Sequence, residues 1–340
     1  MKKHINIPVF IPHLGCPNQC VFCNQHKITG VSDFSLEEVK RIIDNALLTV
    51  GDETEAEIAF FGGSFTGIDY DLMCKLLEIA NSYVIRGKVS SIRCSTRPDY
   101  INTKILETLK AFNVKVIELG LQSSVDAVLH ASKRGHNSTD EYNACKLIKA
   151  FGFELVGQMM IGLPGADTES ELATARFIVD SGASAARIYP TVVFRDTELC
   201  DMVSSGIYKP LSLEEAIERS ATVLSVFREA GVDVIRIGLC ASENLSSPDS
   251  YFAGPNHPAL GELVENEYYY KIISEKLRKM KLIADQKIII TVPSGSLSKA
   301  IGQNKRNKLR LMSEFGIYPS FRESDEVDVK HVEVICEERI

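Results

Sequence analysis

The sequence predicts an α/β protein: a partial (β/α)6 TIM-like open barrel with a small α+β C-terminal domain. Three observations carry that expectation. Short β-rich runs alternate with amphipathic helical patterns. The strand runs are nearly continuously apolar, as in Ile58-Ala-Phe-Phe61 and Val116-Ile-Glu-Leu119, which suits parallel strands covered on both faces. Six such strand–helix units occur where eight would close a barrel, so the sheet should be an open crescent whose flank admits a bulky substrate.

Strands are expected at 5–11, 57–61, 90–95, 115–120, 154–161 and 185–190. Amphipathic helices fall between them at 35–50, 70–84, 103–112, 140–151 and 169–181. Ser35-Leu-Glu-Glu38 has the form of a capping box opening the first helix. A seventh strand-like run, 232–237, follows a helix at 212–229. The turn-rich run 241–250 then sets a domain boundary, giving a barrel over 1–245 and an accessory domain over 246–340. That second part reads as helix 261–281, strand 287–292, a helix from 297, and strand-like runs at 317–321 and 327–335.

The chain has 340 residues, 45% hydrophobic and 24% charged, enough to bury a large core. No run approaches the length of a membrane span. Met1-Lys-Lys-His4 precedes a short apolar run carrying Pro8 and Pro12, with no small-residue cleavage site. The expectation is no targeting signal, no membrane partner and a cytoplasmic protein. Cys74, Cys94, Cys145, Cys200, Cys240 and Cys336 are scattered without paired spacing, as thiols in a reducing compartment are. The net charge of −7 argues against a nucleic-acid partner, but its distribution does not. Residues 271–310 hold eleven basic side chains against Glu275 and Asp285, a net +9 that leaves −16 for the rest. Such asymmetry often marks a polyanion site, although a solvated helix face is the commoner reading of a charge run.

The sharpest signal is Cys16-Pro-Asn-Gln-Cys20-Val-Phe-Cys23, directly after the first strand. Three soft thiolates in eight residues can each ligate one corner of a 4Fe–4S cube. No fourth cysteine lies nearby, so one iron is left for a ligand that is not protein. Gly15 and Pro17 suit a tight, non-helical wrap. Phe22 would cover the cluster with an apolar ring. Structural zinc with His13 or His26 as fourth ligand is the rival, but structural zinc sites usually come as two separated ligand pairs.

This triplet, with an aromatic residue before its last cysteine, resembles the signature of the radical S-adenosylmethionine (SAM) superfamily. The resemblance implies that the amino and carboxylate groups of SAM chelate the open iron. An electron from the reduced cluster then cleaves SAM to methionine and a 5′-deoxyadenosyl radical. It also implies a flavodoxin or ferredoxin as electron donor. Further positions follow at successive strand ends, where ligands sit in such folds. Gly62-Gly63 would hold the SAM amino group. Ser95 would face the ribose, where the family often has a carboxylate. Gln122 would make a polar contact to SAM, Arg134 would reach its carboxylate, and Gln158 would face the ribose hydroxyls. His136 has two readings, a substrate- or proton-handling residue and, more commonly, a plain loop histidine.

Arg187-Ile-Tyr189-Pro190-Thr191, Gly206-Ile-Tyr208-Lys209 and Ser95-Thr-Arg-Pro-Asp99 are similar to the radical SAM part of the Elongator catalytic subunit, over roughly residues 5–240. That likeness implies RNA modification, with tRNA as a candidate partner. Within the 340 residues no acetyltransferase domain is expected. The run 292–307 is similar to a KH RNA-binding core, with Lys305 in place of the second glycine of a G-x-x-G loop. Lys299, Lys305, Arg306 and Lys308 are the candidate RNA contacts. Catalytic residues acting on the substrate are not recognisable. Two alternatives stand: an oxygen-independent coproporphyrinogen oxidase-like enzyme, or a SAM- and cluster-containing RNA-binding protein without radical turnover.

Overall fold

Seven parallel strands run in chain order across one curled sheet: β1 (Lys3–Ile11), β2 (Thr54–Gly62), β3 (Ser91–Thr96), β4 (Val114–Gln122), β5 (Glu154–Ile161), β6 (Ala185–Pro190) and β8 (Asp233–Ile237). The computed structural model describes residues 3–11, 16, 20–24, 34–51, 53–239, 249–283, 285–328 and 331–336. Gly15, Pro17, His13, His26, Cys240 and the proposed boundary at 245 lie outside the described residues. The six expected strands all form, and the seventh run pairs parallel with β6, extending the half-barrel by one strand.

Helices flank the sheet: α1 (Leu36–Leu47), α2 (Tyr70–Ile85), α3 (Thr103–Ala111), the short α4 (Asp126–Ala131), α5 (Ser138–Ala150), α6 (Thr168–Asp180), α7 (Glu198–Ser204) and α8 (Leu213–Ala230). Each connects successive parallel strands or lies beside them, so the helix-covered face can be apolar, while Glu57, Arg93, Glu118 and Arg187 are buried polar side chains on the same strands. The main core joins Ile7, Ile58, Phe60, Leu76, Ile117, Ile148, Ile178 and Leu224. Only half of the expected capping box forms at Ser35. Its hydroxyl accepts from the Glu38 N–H, while the Glu38 carboxylate pairs with Arg41 at 2.8 Å. Reciprocal boxes open α5, α6 and α8 instead, at Asn137/Asp140, Asp167/Ser170 and Ser212/Glu215.

A two-stranded patch, β7 (Val193–Phe194) with β9 (Tyr251–Ala253), was not legible in the sequence because both strands are so short. Helix α9 (Leu260–Arg278) packs on α8 and leads into the C-terminal module. There β10 (Gln286–Pro293), α10 (Leu297–Ile301), α11 (Arg306–Phe315) and β11 (Ile317–Ser324) form a strand–helix–turn–helix–strand unit. β10 lies parallel to β11 and antiparallel to β12 (Glu333–Cys336), which is shorter than the run 327–335 predicts.

The end of β2 is fixed by close backbone approach. Gly62 has φ +112°, and a Cβ there would lie 2.1 Å from the Ile11 carbonyl oxygen. Gly62→Ala must move β1 or β2, so thermal or urea unfolding should show a loss of about 2 kcal/mol or more. A change below about 0.5 kcal/mol would contradict this.

Candidate functional site

The cysteine loop is tied down on two sides. The Val21 N–H donates to the Ser132 carbonyl at 3.2 Å, and the Leu199 N–H donates to the Val21 carbonyl at 2.8 Å. Val21 is buried with Val193 and Leu199, and Phe22 packs against this satellite cluster beside Met202, Tyr208 and Phe252. Cys20 is buried, while Cys16 and Cys23 are half-buried. Cys16 Sγ lies 3.4 Å from the Ser64 hydroxyl, just past Gly62 and Gly63, and the Gly63 N–H faces the Ile11 carbonyl at 3.4 Å. Among the described residues no three His, Cys, Asp or Glu side chains converge closely enough to hold a metal ion. The three cysteines therefore share one loop without closing on a common centre.

Two guanidinium groups face Cys20. Arg134 Nη1 is 3.3 Å and Arg97 Nη1 3.7 Å from its sulfur. Arg134 also donates to the Gly120 carbonyl at 2.6 Å, and among the described residues its buried Nε has no partner. A Cβ on Gly120 would meet the Gln122 amide nitrogen at 2.9 Å and Arg134 Nη2 at 3.6 Å, so those two side chains converge above it. Gln122 sits at φ 74°, where β4 shifts register against β5.

Arg97 is itself held. Its Nε and Nη2 donate to Asp99 at 2.9 and 3.1 Å, and Nη2 also reaches the Arg134 carbonyl. His136 Nδ1 lies 3.5 Å from Arg97 Nη2 and 3.7 Å from Asp99, and its Nε2 lies 3.1 Å from Glu141 Oε1. His136 lies in the loop before α5, as expected, and its side chain is fully buried. Burial would raise the Asp99 carboxyl, but hydrogen bonds from His136 and Arg97 outweigh it and hold the group well below the usual carboxylate range. Burial wins at Glu141 and pushes its carboxyl up to about 7, against the His136 hydrogen bond.

A second polar set lines the sheet interior. Glu118 is completely buried and accepts from Arg93 at 2.8 Å, from Arg187 twice at 2.8 Å, and from Gln158 at 2.9 Å. Arg93 also bonds Glu57 at 2.5 Å. The Gln158 amide reaches Ser95 Oγ at 3.3 Å, so the two residues expected at a ribose bond each other. Burial disfavours the Glu118 anion, but Arg187 and Arg93 more than offset that and lower its pKa. Sequence reasoning gave no role to Arg97, Asp99, Glu118 or Arg187. The signal available was a charge inside an otherwise apolar strand run, which is costly unless paired.

Four of the eleven basic residues in the basic stretch form ion pairs among the described residues. Arg278 bonds Glu314, Lys279 bonds Glu275, Arg310 bonds Glu267, and Lys299 lies 3.7 Å from Glu265. Among the described residues no ion pair joins Lys305, Arg306 or Lys308. Lys305 takes φ 61°, ψ 23°, the backbone a glycine would adopt at that position of the turn.

Residues 10–178 match the model of the Radical SAM superfamily, and residues 183–270 match the Radical_SAM C-terminal domain. The chain belongs to the radical SAM superfamily. It is 36% identical over 126 residues to a tRNA uridine(34) acetyltransferase of Methanocaldococcus jannaschii, covering 36% of this chain and 23% of that one. Elongator complex protein 3 of Homo sapiens is 30% identical over 142 residues, covering 41% and 26%. These alignments thus span about a quarter of the curated relatives' length. The archaeal Methanocaldococcus infernus Elp3 structure, with an N-terminal deletion, superposes with TM-score 0.61 at 22% identity, covering 81% of this chain and 64% of that one. This radical SAM chain therefore shares the Elp3 fold, and its superfamily implies SAM and a 4Fe–4S cluster generally. No helix among the described residues is long and apolar enough to cross a membrane.

The radical SAM barrel should carry one pH-sensitive buried group. Below about 4.5 Glu141 is protonated folded or unfolded; between that and about 7 only the folded chain keeps the proton. Stability is therefore lost as pH rises through this window. Between pH 5 and 8, Glu141→Gln should gain on the order of 2 kcal/mol relative to the parent in urea unfolding. Parallel stability curves would contradict it.

Proposed function

We propose that this radical SAM enzyme holds a 4Fe–4S cluster on Cys16, Cys20 and Cys23 and uses it to start radical chemistry on an RNA substrate, with tRNA the favoured class. The observation that carries the reading is a thiol-rich loop facing two buried guanidiniums at a parallel strand end. The donor set fits the group: three soft ligands in one loop, beside cations that offset the negative charge of a thiolate-bound cluster. The partnerless Arg134 Nε fits the SAM carboxylate, and charge-assisted pairing there would orient the cofactor. When bound, the reduced cluster would supply the electron that splits SAM into methionine and a 5′-deoxyadenosyl radical.

The chain's own residues then bind and shield. Gly62 and Gly63 leave room for the SAM amino group beside Cys16. Gln122 sits beside Arg134, while Ser95 and Gln158 offer the ribose a hydroxyl and an amide already oriented by Glu118. Phe22 and Val21 close the loop's apolar side against water. The electron would come from a flavodoxin or ferredoxin, and the cellular setting would be the cytoplasm. We assign 1–245 to the barrel and 246–340 to a KH-like accessory unit. RNA contact there is supported by Lys305 on a glycine-like turn and Arg306 and Lys308 in the helix that follows, none of them in an ion pair among the described residues, and by relatives named for tRNA uridine modification. Lys299 is a weaker candidate, because Glu265 is its neighbour.

Anaerobic incubation of the iron-loaded protein with dithionite and SAM should yield 5′-deoxyadenosine, and Cys20→Ala should abolish it. No nucleoside from the iron-loaded parent would overturn the reading. Lys305→Gly with Arg306→Gln keeps the turn and removes two charges. It should weaken tRNA binding and lower the slope of log affinity against log salt by about 2; an unchanged slope would remove RNA from the proposal.

A further inference from the structure

Cysteine spacing accounts for the ligands but not for what faces them. Arg97 is only 4% exposed and Arg134 only 5%. Burying two guanidiniums side by side is costly unless anions compensate. Asp99 supplies one negative charge, in a bidentate pair with Arg97. Glu141 faces His136 at 3.1 Å and, among the described residues, bonds neither guanidinium. One positive charge is left, and the Cys20 sulfur is the group both Nη1 atoms approach. A neutral thiol is a weak acceptor and balances nothing, whereas a metal-bound thiolate balances it.

Resting on the cluster reading above, we infer that Arg97 poises the cluster through the Cys20 sulfur, with Asp99 and the His136–Glu141 couple holding its guanidinium in place. Hydrogen bonds and positive charge at a ligating sulfur favour the reduced state, so Arg97 makes the electron easier to accept. The support is rigid on every side. Asp99 comes from the turn after β3, His136 and Glu141 from the start of α5, and the Arg134 carbonyl closes the last position. Arg97 touches no substrate in this arrangement and acts as a positioning residue. Arg134 shares the sulfur but also carries the donor assigned to SAM, so Arg97 is the cleaner probe.

The test uses the reconstituted full chain without SAM, with iron and sulfide counted for each variant. The protein is poised with a viologen couple at the potential where the parent is half reduced, and the reduced cluster is measured by electron paramagnetic resonance. Arg97→Gln should lower the reduced-to-oxidised ratio about tenfold, equivalent to about 59 mV for one electron. Arg97→Lys, which keeps the charge, should recover most of the ratio. An unchanged ratio in fully loaded Arg97→Gln, or an equal fall in Arg97→Lys, would overturn the inference. Where Arg97→Gln takes up no iron, His136→Gln replaces it: a lowered ratio at full iron content supports the inference and an unchanged one overturns it. A parent that binds no iron and sulfide would instead sink the cluster reading itself.

Discussion

Two guanidinium groups buried side by side need an anion, and the Cys20 sulfur is where their free nitrogens point. That requirement organises the C-terminal end of the sheet. Arg97 leaves β3 and Arg134 follows α4, so the cysteine loop after β1 is drawn across β2 toward β4. The Val21–Ser132 hydrogen bond fixes the same approach through the backbone.

Below the mouth, the concave face is polar but closed. Glu118 on β4 accepts from β3, β5 and β6 at once, and only a curved sheet lets Arg187 reach past β5 to do so. Replacing one arginine would leave the buried Glu118 carboxylate with a single guanidinium and the Gln158 amide, at a cost to its desolvated charge. The network therefore specifies curvature more than it adds stability. It also orients Gln158 and Ser95, which is the preorganisation a polar ligand needs.

The sheet was legible in the sequence because buried parallel strands leave nearly continuous apolar runs, even with single charges such as Glu118 and Arg187 among them. The six expected strands lie where those runs lie, and the seventh differs only in joining the same sheet. What the pattern hid was charge that is satisfied at long range. Arg93, Glu118 and Arg187 look like surface residues until their partners, 25 and 69 positions apart, are known. The basic excess of 271–310 misled in the opposite direction, since Glu265, Glu267 and Glu314 offset a third of it from positions outside or beyond the local run. The turn at Lys305 was a third case. Lys305 stands where the KH pattern has its second glycine, yet the backbone keeps the left-handed form there.

The cysteine triplet was the most legible site feature, because a chemically soft, closely spaced donor set has few other uses. Its supports were not legible, because nothing in the spacing of Arg97, Arg134, His136 and Glu141 announces that they meet. The central claim is that three thiolates hold a cube with one iron open to SAM. Mössbauer spectra of the 57Fe-reconstituted chain, recorded with and without SAM, test it most directly. The account predicts four irons per chain, one of which changes its spectrum on SAM addition while three do not. Zinc in place of iron, or a cluster whose irons all ignore SAM, would contradict it.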